Sequence, residues 1–357
     1  MTQGLILTKQ NKGTSFKTVT RKRFVELELR QNKLGEQTLS ECIAYNLNLT
    51  NTIIEGCAQN GIAHYRLSAA LFPLLMDMSL ELNLATIKGA SQILNLIKKI
   101  GATATEHKIS LSVCPPIMTA TSSDGLATDS DDSIVKTVRQ LDFYAHLFDL
   151  MGFPADYSNP IHVYPHLAPK DATQSNLEDI VDRFYDGMVR CHDNVIKRLV
   201  VMNEQNSCWN CMNLFVYFHQ YMGHKHRHIM PLSYDSLHDE NNASVLQGNK
   251  VTVTQNIDAF AKTWPDSITP VFRWSHDTYD APDYDRNIIW ESEKKDFTIL
   301  SKKAKVVVSK KKATKKKATK KKTAKKTPAP KPSVKKILKK IEKTEYKATT
   351  FNHLYGQ

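Results

Sequence analysis

No run of 18 or more apolar residues occurs anywhere in the 357 residues, which excludes a hydrophobic membrane span. The stretch from Met1 to Arg30 is polar and basic and has no apolar h-region ahead of a small-residue cleavage site. It therefore reads as an intracellular chain rather than a secreted one. Cysteine is sparse: six in the whole chain, irregularly spaced, which fits reduced thiols and not a disulfide framework. No glycine-rich phosphate-binding turn follows the first β-rich run, so a nucleotide-binding Rossmann sheet has little support. Acidic residues are missing altogether between Lys302 and Lys340, where there are 19 lysines.

That last absence divides the chain. The formal net charge is +13, but removing residues 301–357 leaves a body of about −6. The tail repeats Ala-Thr-Lys-Lys-Lys units and then turns proline-rich, with too few apolar side chains to offset the entropy of ordering, so disorder is expected. Its composition is similar to that of linker-histone tails. Lysines such as Lys311, Lys316 and Lys321 are expected to contact DNA phosphates without regard to sequence, releasing counterions as they bind. A generic solubilising or import tail is the alternative.

Residues 35–300 alternate between β-rich runs (62–68, 108–113, 159–164, 197–202, 229–234 and 269–274) and helical patterns (48–61, 91–107, 135–152, 177–193 and 208–223). Gly61, Gly101, Gly152 and Gly223 are placed to end helices. Repeated strand–helix alternation predicts a parallel sheet covered by helices, and its length suits a TIM (β/α)8 barrel, with an open doubly wound sheet as runner-up. The predicted domains are an N-terminal extension (1–34), the barrel (35–300) and a lysine-rich, mostly disordered tail (301–357). In a barrel the chemistry gathers where strands end. The polar residues there include Arg66, Ser68, Cys114, His162, Glu204, Asp235, His238, Arg273, His276 and Glu291. Histidines and carboxylates converging from several strands suit a divalent-metal hydrolase.

Several segments, in order, resemble the UV damage endonuclease family. Arg66-Leu67-Ser68-Ala69-Ala70-Leu71-Phe72-Pro73 is similar to that family's Arg-[IL]-Ser-Ser-x-Leu-Phe-Pro signature, and 97–116, 141–152, 159–166, 197–209, 230–240, 259–275 and 288–296 follow at compatible spacing. The resemblance implies a barrel of the endonuclease IV and xylose isomerase-like type. It implies metal-dependent hydrolysis of the phosphodiester 5′ to a UV photoproduct, on damaged double-stranded DNA, by a monomer. By the same resemblance His162, Glu204, Asp235, His238 and Glu291 are expected to hold divalent metal, with Cys114 and His276 as further candidates. Manganese is the expected ion, and zinc or another becomes an option through Cys114. Arg66, Ser68, Arg273, Ile117 and Met118 are expected to touch DNA, the last two as an apolar wedge between base steps.

The departures from that pattern are specific. Cys114 replaces a histidine, Arg273 a metal-ligating histidine and Val271 a lysine, while Met202 competes with Glu204 for the position of a glutamate ligand. Ile117 and Met118 stand where the family has a glutamine and an aromatic. These changes motivate an alternative, a catalytically weakened barrel kept for DNA binding or damage recognition. Two further clusters carry less. Cys208-x-x-Cys211 with the histidines from His219 to His228 fits no zinc-finger spacing well. The acidic stretch 122–132 lacks the ligand spacing of a calcium loop and reads as a solvated loop with a helix N-cap at Asp132 or Ser133.

Overall fold

The computed structural model describes residues 2–7, 15–30, 34–115, 126, 131–165, 173–246, 248–275, 286–294 and 297. Eight short strands line its centre: β1 (Thr2–Ile6), β2 (His64–Leu67), β3 (Ser110–Val113), β4 (Ile161–Val163), β5 (Leu199–Met202), β6 (Leu232–Ser233), β9 (Val271–Arg273) and β10 (Ile289–Glu293). The remaining two, β7 (Val245–Leu246) and β8 (Asn249–Lys250), form a separate antiparallel hairpin. The eight pair in the order β6-β5-β4-β3-β2-β1-β10-β9, every pairing parallel. The two ends then meet. Ser233 Oγ donates to the Val271 carbonyl at 2.6 Å, Arg273 N–H donates to the Tyr234 carbonyl at 2.7 Å, and Asp235 bridges to Arg273. This is a TIM barrel. Strands such as Leu199–Met202 are buried at every position, as expected where side chains of one face fill the barrel and those of the other meet helices.

The outer layer contains α1 (Arg21–Arg30), α2 (Leu34–Gln59), α3 (Ala90–Glu106), α4 (Asp131–Leu150), α5 (Gln174–Met188), α6 (Asp193–Ile196), α7 (Cys211–Asn213), α8 (Met222–His226), α9 (Ser236–Asn241) and α10 (Val253–Ala261). A π-helical run, Leu214–Tyr221, joins α7 to α8. Within the layer, Asn46 of α2 accepts from the Lys17 amide at 2.8 Å and donates to the Ala70 and Leu71 carbonyls at 3.1 and 3.3 Å. One buried amide thus fixes the loop that leaves β2 toward the barrel's C-terminal face. Among the described residues no helix is long and apolar enough to cross a membrane.

All six β-rich runs of the sequence contain a barrel strand. The N-terminal boundary differs. Residues 1–34 are no extension, because Thr2–Ile6 is the barrel strand between β10 and β2 and Arg21–Arg30 is helical. Gly61 and Gly152 follow helices at positive φ, 67° and 85°. Gly101 and Gly223 instead lie inside α3 and α8, and Lys108 and Arg227 take the left-handed conformation after those helices. Asp132 and Ser133 fall inside α4, not at its cap. The tail, 301–357, lies outside the described residues.

The reason for Gly101 is contact: a Cβ there would sit 1.8 Å from the Met151 carbonyl oxygen at the end of α4. Gly101→Ala is expected to destabilise the chain by at least about 1–3 kcal/mol, since backbone must move to admit the methyl. A thermal midpoint unchanged from wild type would refute the close approach.

Candidate active site

The strands aim a set of polar side chains at the C-terminal mouth. Alternation places His64 and Arg66 on one face of β2. Between β10 and β2, Gly4 of β1 pairs with both Glu291 and His64. A Cβ at Gly4 would lie 3.2 Å from the Glu291 Cα and 3.2 Å from the His64 ring, so glycine is what lets those two neighbours close in. Glu291 and His64 are fully buried. His64 Nε2 donates to Glu291 Oε1 at 2.9 Å, Ser112 Oγ donates to the same oxygen at 2.5 Å, and Arg66 Nη2 forms an ion pair with Glu291 Oε2. Burial alone would raise the Glu291 carboxyl, but Arg66 and the His64 hydrogen bond hold it well below the usual carboxylate range.

A second pair forms across the barrel seam. Asp235, fully buried at the start of α9, accepts from the Leu237 and His238 amides at 3.0 and 3.3 Å through Oδ1. Its Oδ2 accepts from Arg273 Nη1 at 3.2 Å. Arg273 Nη2 lies 3.6 Å from Glu293. Asn203 locks the Asp235 backbone, accepting its N–H at 2.7 Å and donating to its carbonyl at 3.0 Å. His238 Nδ1 donates to the Asn203 carbonyl at 2.7 Å, which leaves Nε2 as the lone-pair nitrogen.

His162 is fully buried on β4, with Nδ1 3.2 Å from the Met202 sulfur and no hydrogen-bond partner on Nε2 among the described residues. Burial and the nearby Arg66 push it down to about 3, so the ring is neutral. The half-buried Cys114 lies within electrostatic reach of Arg66, Glu291, Arg273 and Asp235, and burial pushes its thiol up.

These contacts sort the predicted residues. Arg66, Cys114, Asp235, Arg273 and Glu291 come together, His162 joins them beside Arg66, and His238 stands next to Asp235. Met202 takes the inward position beside His162, and Glu204 follows the end of the strand, where its backbone bonds to Trp209 and Asn242; burial, together with the Glu204 charge, pushes Cys208 up to about 12. Ser68 accepts from the Ala70 amide at 3.2 Å and shapes its own loop. His276, Ile117, Met118, Lys311, Lys316 and Lys321 lie outside the described residues. Cys211 contacts Asp239 at 3.6 Å, and His226 stacks on Tyr185 and pairs with Asp182, so the CxxC and its histidines spread over separate contacts. His64, Ser112 and Asn203 were not anticipated. The signal for the first two was present, two residues before Arg66 and Cys114 on the same strand faces.

The profile of the UV-endonuclease UvdE family matches residues 2–286. The chain belongs to that family. Over 151 residues it is 30% identical to the UV DNA damage endonuclease of Nostoc sp. (strain PCC 7120), a match covering 42% of this chain and 43% of that protein. The chain therefore spans 43% of the length of that curated relative. The solved structure of SacUVDE superposes with a TM-score of 0.61 at 17% identity, covering 83% of this chain and 94% of the other, which establishes the shared barrel.

Whether this UvdE mouth suits the metal ring implied by the resemblance turns on its donors. The partnerless Nε2 of His162 and the fixed tautomer of His238 are what metal-bound imidazoles need. The carboxylates are not free in the same way, since guanidinium, imidazole, hydroxyl or amide groups occupy both oxygens of Glu291 and of Asp235. Among the described residues no three His, Cys, Asp or Glu side chains gather as a metal site. The donors described do not fit the full ring.

Proposed function

We propose that this UvdE-family chain is a repair endonuclease acting on UV-damaged duplex DNA, cutting the phosphodiester 5′ to the photoproduct at the mouth of its barrel. The observation that carries the reading is the presence, in a family barrel, of two arginines fixed at the ends of β2 and β9 by buried carboxylates. A guanidinium offers a planar fork of N–H groups matched to phosphate oxygens. Because Glu291 and Asp235 already hold Arg66 and Arg273 in place, little reorganisation is needed when a phosphodiester arrives. The neutral His162 presents an uncharged nitrogen to the same space. Manganese, or zinc through Cys114, is the cofactor that the resemblance implies; His162 and His238 each keep a nitrogen for it, whereas Glu291 and Asp235 are already engaged by Arg66 and Arg273.

The test is incision. Purified protein, with and without added Mn2+ and with its metal content measured, would be incubated with UV-irradiated and undamaged duplexes. Nicking of the irradiated duplex that disappears in His162→Ala and Asp235→Ala supports the enzyme. Tight binding of the irradiated duplex with no nicking in either metal state would sink it. That outcome selects the second reading, a damage-binding barrel without incision, which the two arginine–carboxylate pairs and the Met202–His162 contact favour.

A further inference from the structure

We propose that Arg66, Arg273 and Ser275 form a phosphate subsite that binds a DNA phosphodiester without a divalent cation. The inference rests on the reading that DNA enters this mouth, and it concerns how the backbone is held there.

The two arginines flank one carboxylate. Arg273 is the register partner of Glu291 on the neighbouring strand, and Arg66 reaches Glu291 from the other side across β1. Each spends part of its fork on a carboxylate and keeps part in reserve. The Arg66 side chain is 10% exposed and the Arg273 side chain 22%. Both Nε–H groups are buried, and neither has a hydrogen-bond partner among the described residues. Ser275, two residues past Arg273, has its backbone pinned by an N–H bond to Ser236 Oγ at 2.9 Å, while its own hydroxyl is buried and likewise without a partner. Buried N–H and O–H donors in native folds are nearly always satisfied. Three of them at one strand-end rim, two on permanent cations, match an oxyanion with several acceptor oxygens.

A divalent ion suits the same space poorly. To bind Glu291 or Asp235 it would have to displace a guanidinium and leave that cation buried without its counter-charge. A phosphate oxygen accepting from the Nε groups would leave both arginine–carboxylate pairs in place. Tyr164 and Cys114 are both within electrostatic reach of Arg66, Arg273 and Asp235, so the two pairs are near neighbours at the mouth.

The experiment uses the full chain stripped with EDTA and checked for residual metal. Thermal midpoints are read with inorganic phosphate against chloride at equal ionic strength, and affinities for UV-irradiated and undamaged duplexes are read at a salt concentration that suppresses non-specific binding. The expected result is that the metal-free chain retains its preference for the irradiated duplex. Arg273→Gln weakens that preference at least tenfold, Arg273→Lys recovers part of it, and Ser275→Ala gives a smaller loss. A midpoint rise with phosphate that is lost in Arg273→Gln supports a subsite for free phosphate as well. A response to duplex alone supports one that requires the diester in DNA. Should Arg66→Gln fail to fold, the Arg273 and Ser275 variants still decide the matter. The subsite is overturned if EDTA abolishes duplex preference and Mn2+ restores it, or if Arg273→Gln binds as wild type. Incision is read separately, so nicking of the irradiated duplex alongside either result would uphold the endonuclease reading while the subsite fails. Conversely, EDTA-resistant binding without nicking upholds the subsite while the endonuclease reading fails.

Discussion

Glu291→Leu is expected to destabilise the chain by about 3–5 kcal/mol, the range for removing one partner of a buried ion pair and stranding the other. Glu291 is fully buried and Arg66 nearly so, and the variant also leaves His64 and Ser112 without their shared acceptor. The double change Arg66→Met with Glu291→Leu should return much of the loss, because two apolar groups then replace two charges. Urea denaturation of the single and double variants beside wild type measures both effects. A single variant within about 1 kcal/mol of wild type would show that the pair contributes no more than a surface contact.

The same pair predicts acid sensitivity. An unfolded chain protonates Glu291 near pH 4.3, whereas in the fold the carboxylate stays charged to far lower pH. The stabilisation is therefore present above about pH 4.3 and is lost as the pH falls further. His162 acts in the same direction from a higher pH. Unfolded, it takes up a proton below about pH 6.5, while in the fold it is lowered to about 3. Stability should decline from about pH 6.5 downward, and a His162→Phe variant should show a flatter upper limb.

The second large effect concerns the tail. Deleting residues 301–357 removes 21 lysines and leaves a body of about −6. Affinity for undamaged duplex at low salt is expected to fall by about 10³-fold or more, if six to ten phosphates are neutralised by the intact tail. The slope of log affinity against log salt should flatten from about −5 to −9 toward zero. Preference for irradiated over undamaged duplex should survive if, as proposed, the mouth supplies it. A truncated chain with an unchanged salt slope would mean that the lysines are not the electrostatic contact.

Much of the barrel was legible because β-branched and aromatic runs such as Leu199–Met202 are buried on both faces and leave a continuous apolar signature. β1 was not, because Gly4 sits in its middle, and that glycine is present to bring Glu291 and His64 together and not to propagate a strand. Gly101 was misread for a related reason. A glycine kept for close approach looks, in one dimension, like a glycine kept for positive φ. In the site, Arg66, Asp235, Arg273 and Glu291 were visible as polar residues at strand ends. That each arginine would be bound to a carboxylate was not, because those contacts cross the seam between distant segments. Glu204 was preferred to Met202 on ligand chemistry, and the strand itself ends at Met202, which stands beside His162.

The pairing of β1 with β10 also sets an order of assembly. Thr2 Oγ1 donates to the Asn287 side chain at 2.9 Å, across 285 positions of sequence. The first barrel strand cannot acquire its second neighbour until almost the whole body has been synthesised. Contacts of such long range make for slow closure and expose unpaired strand edges meanwhile. The Glu291–Arg66–His64 cluster must be among the last features to form on a growing chain, and any product ending before β10 would carry Arg66 with no counter-charge. The lysine segment is translated only after that strand, so the most basic part of the chain follows the residues that complete the mouth.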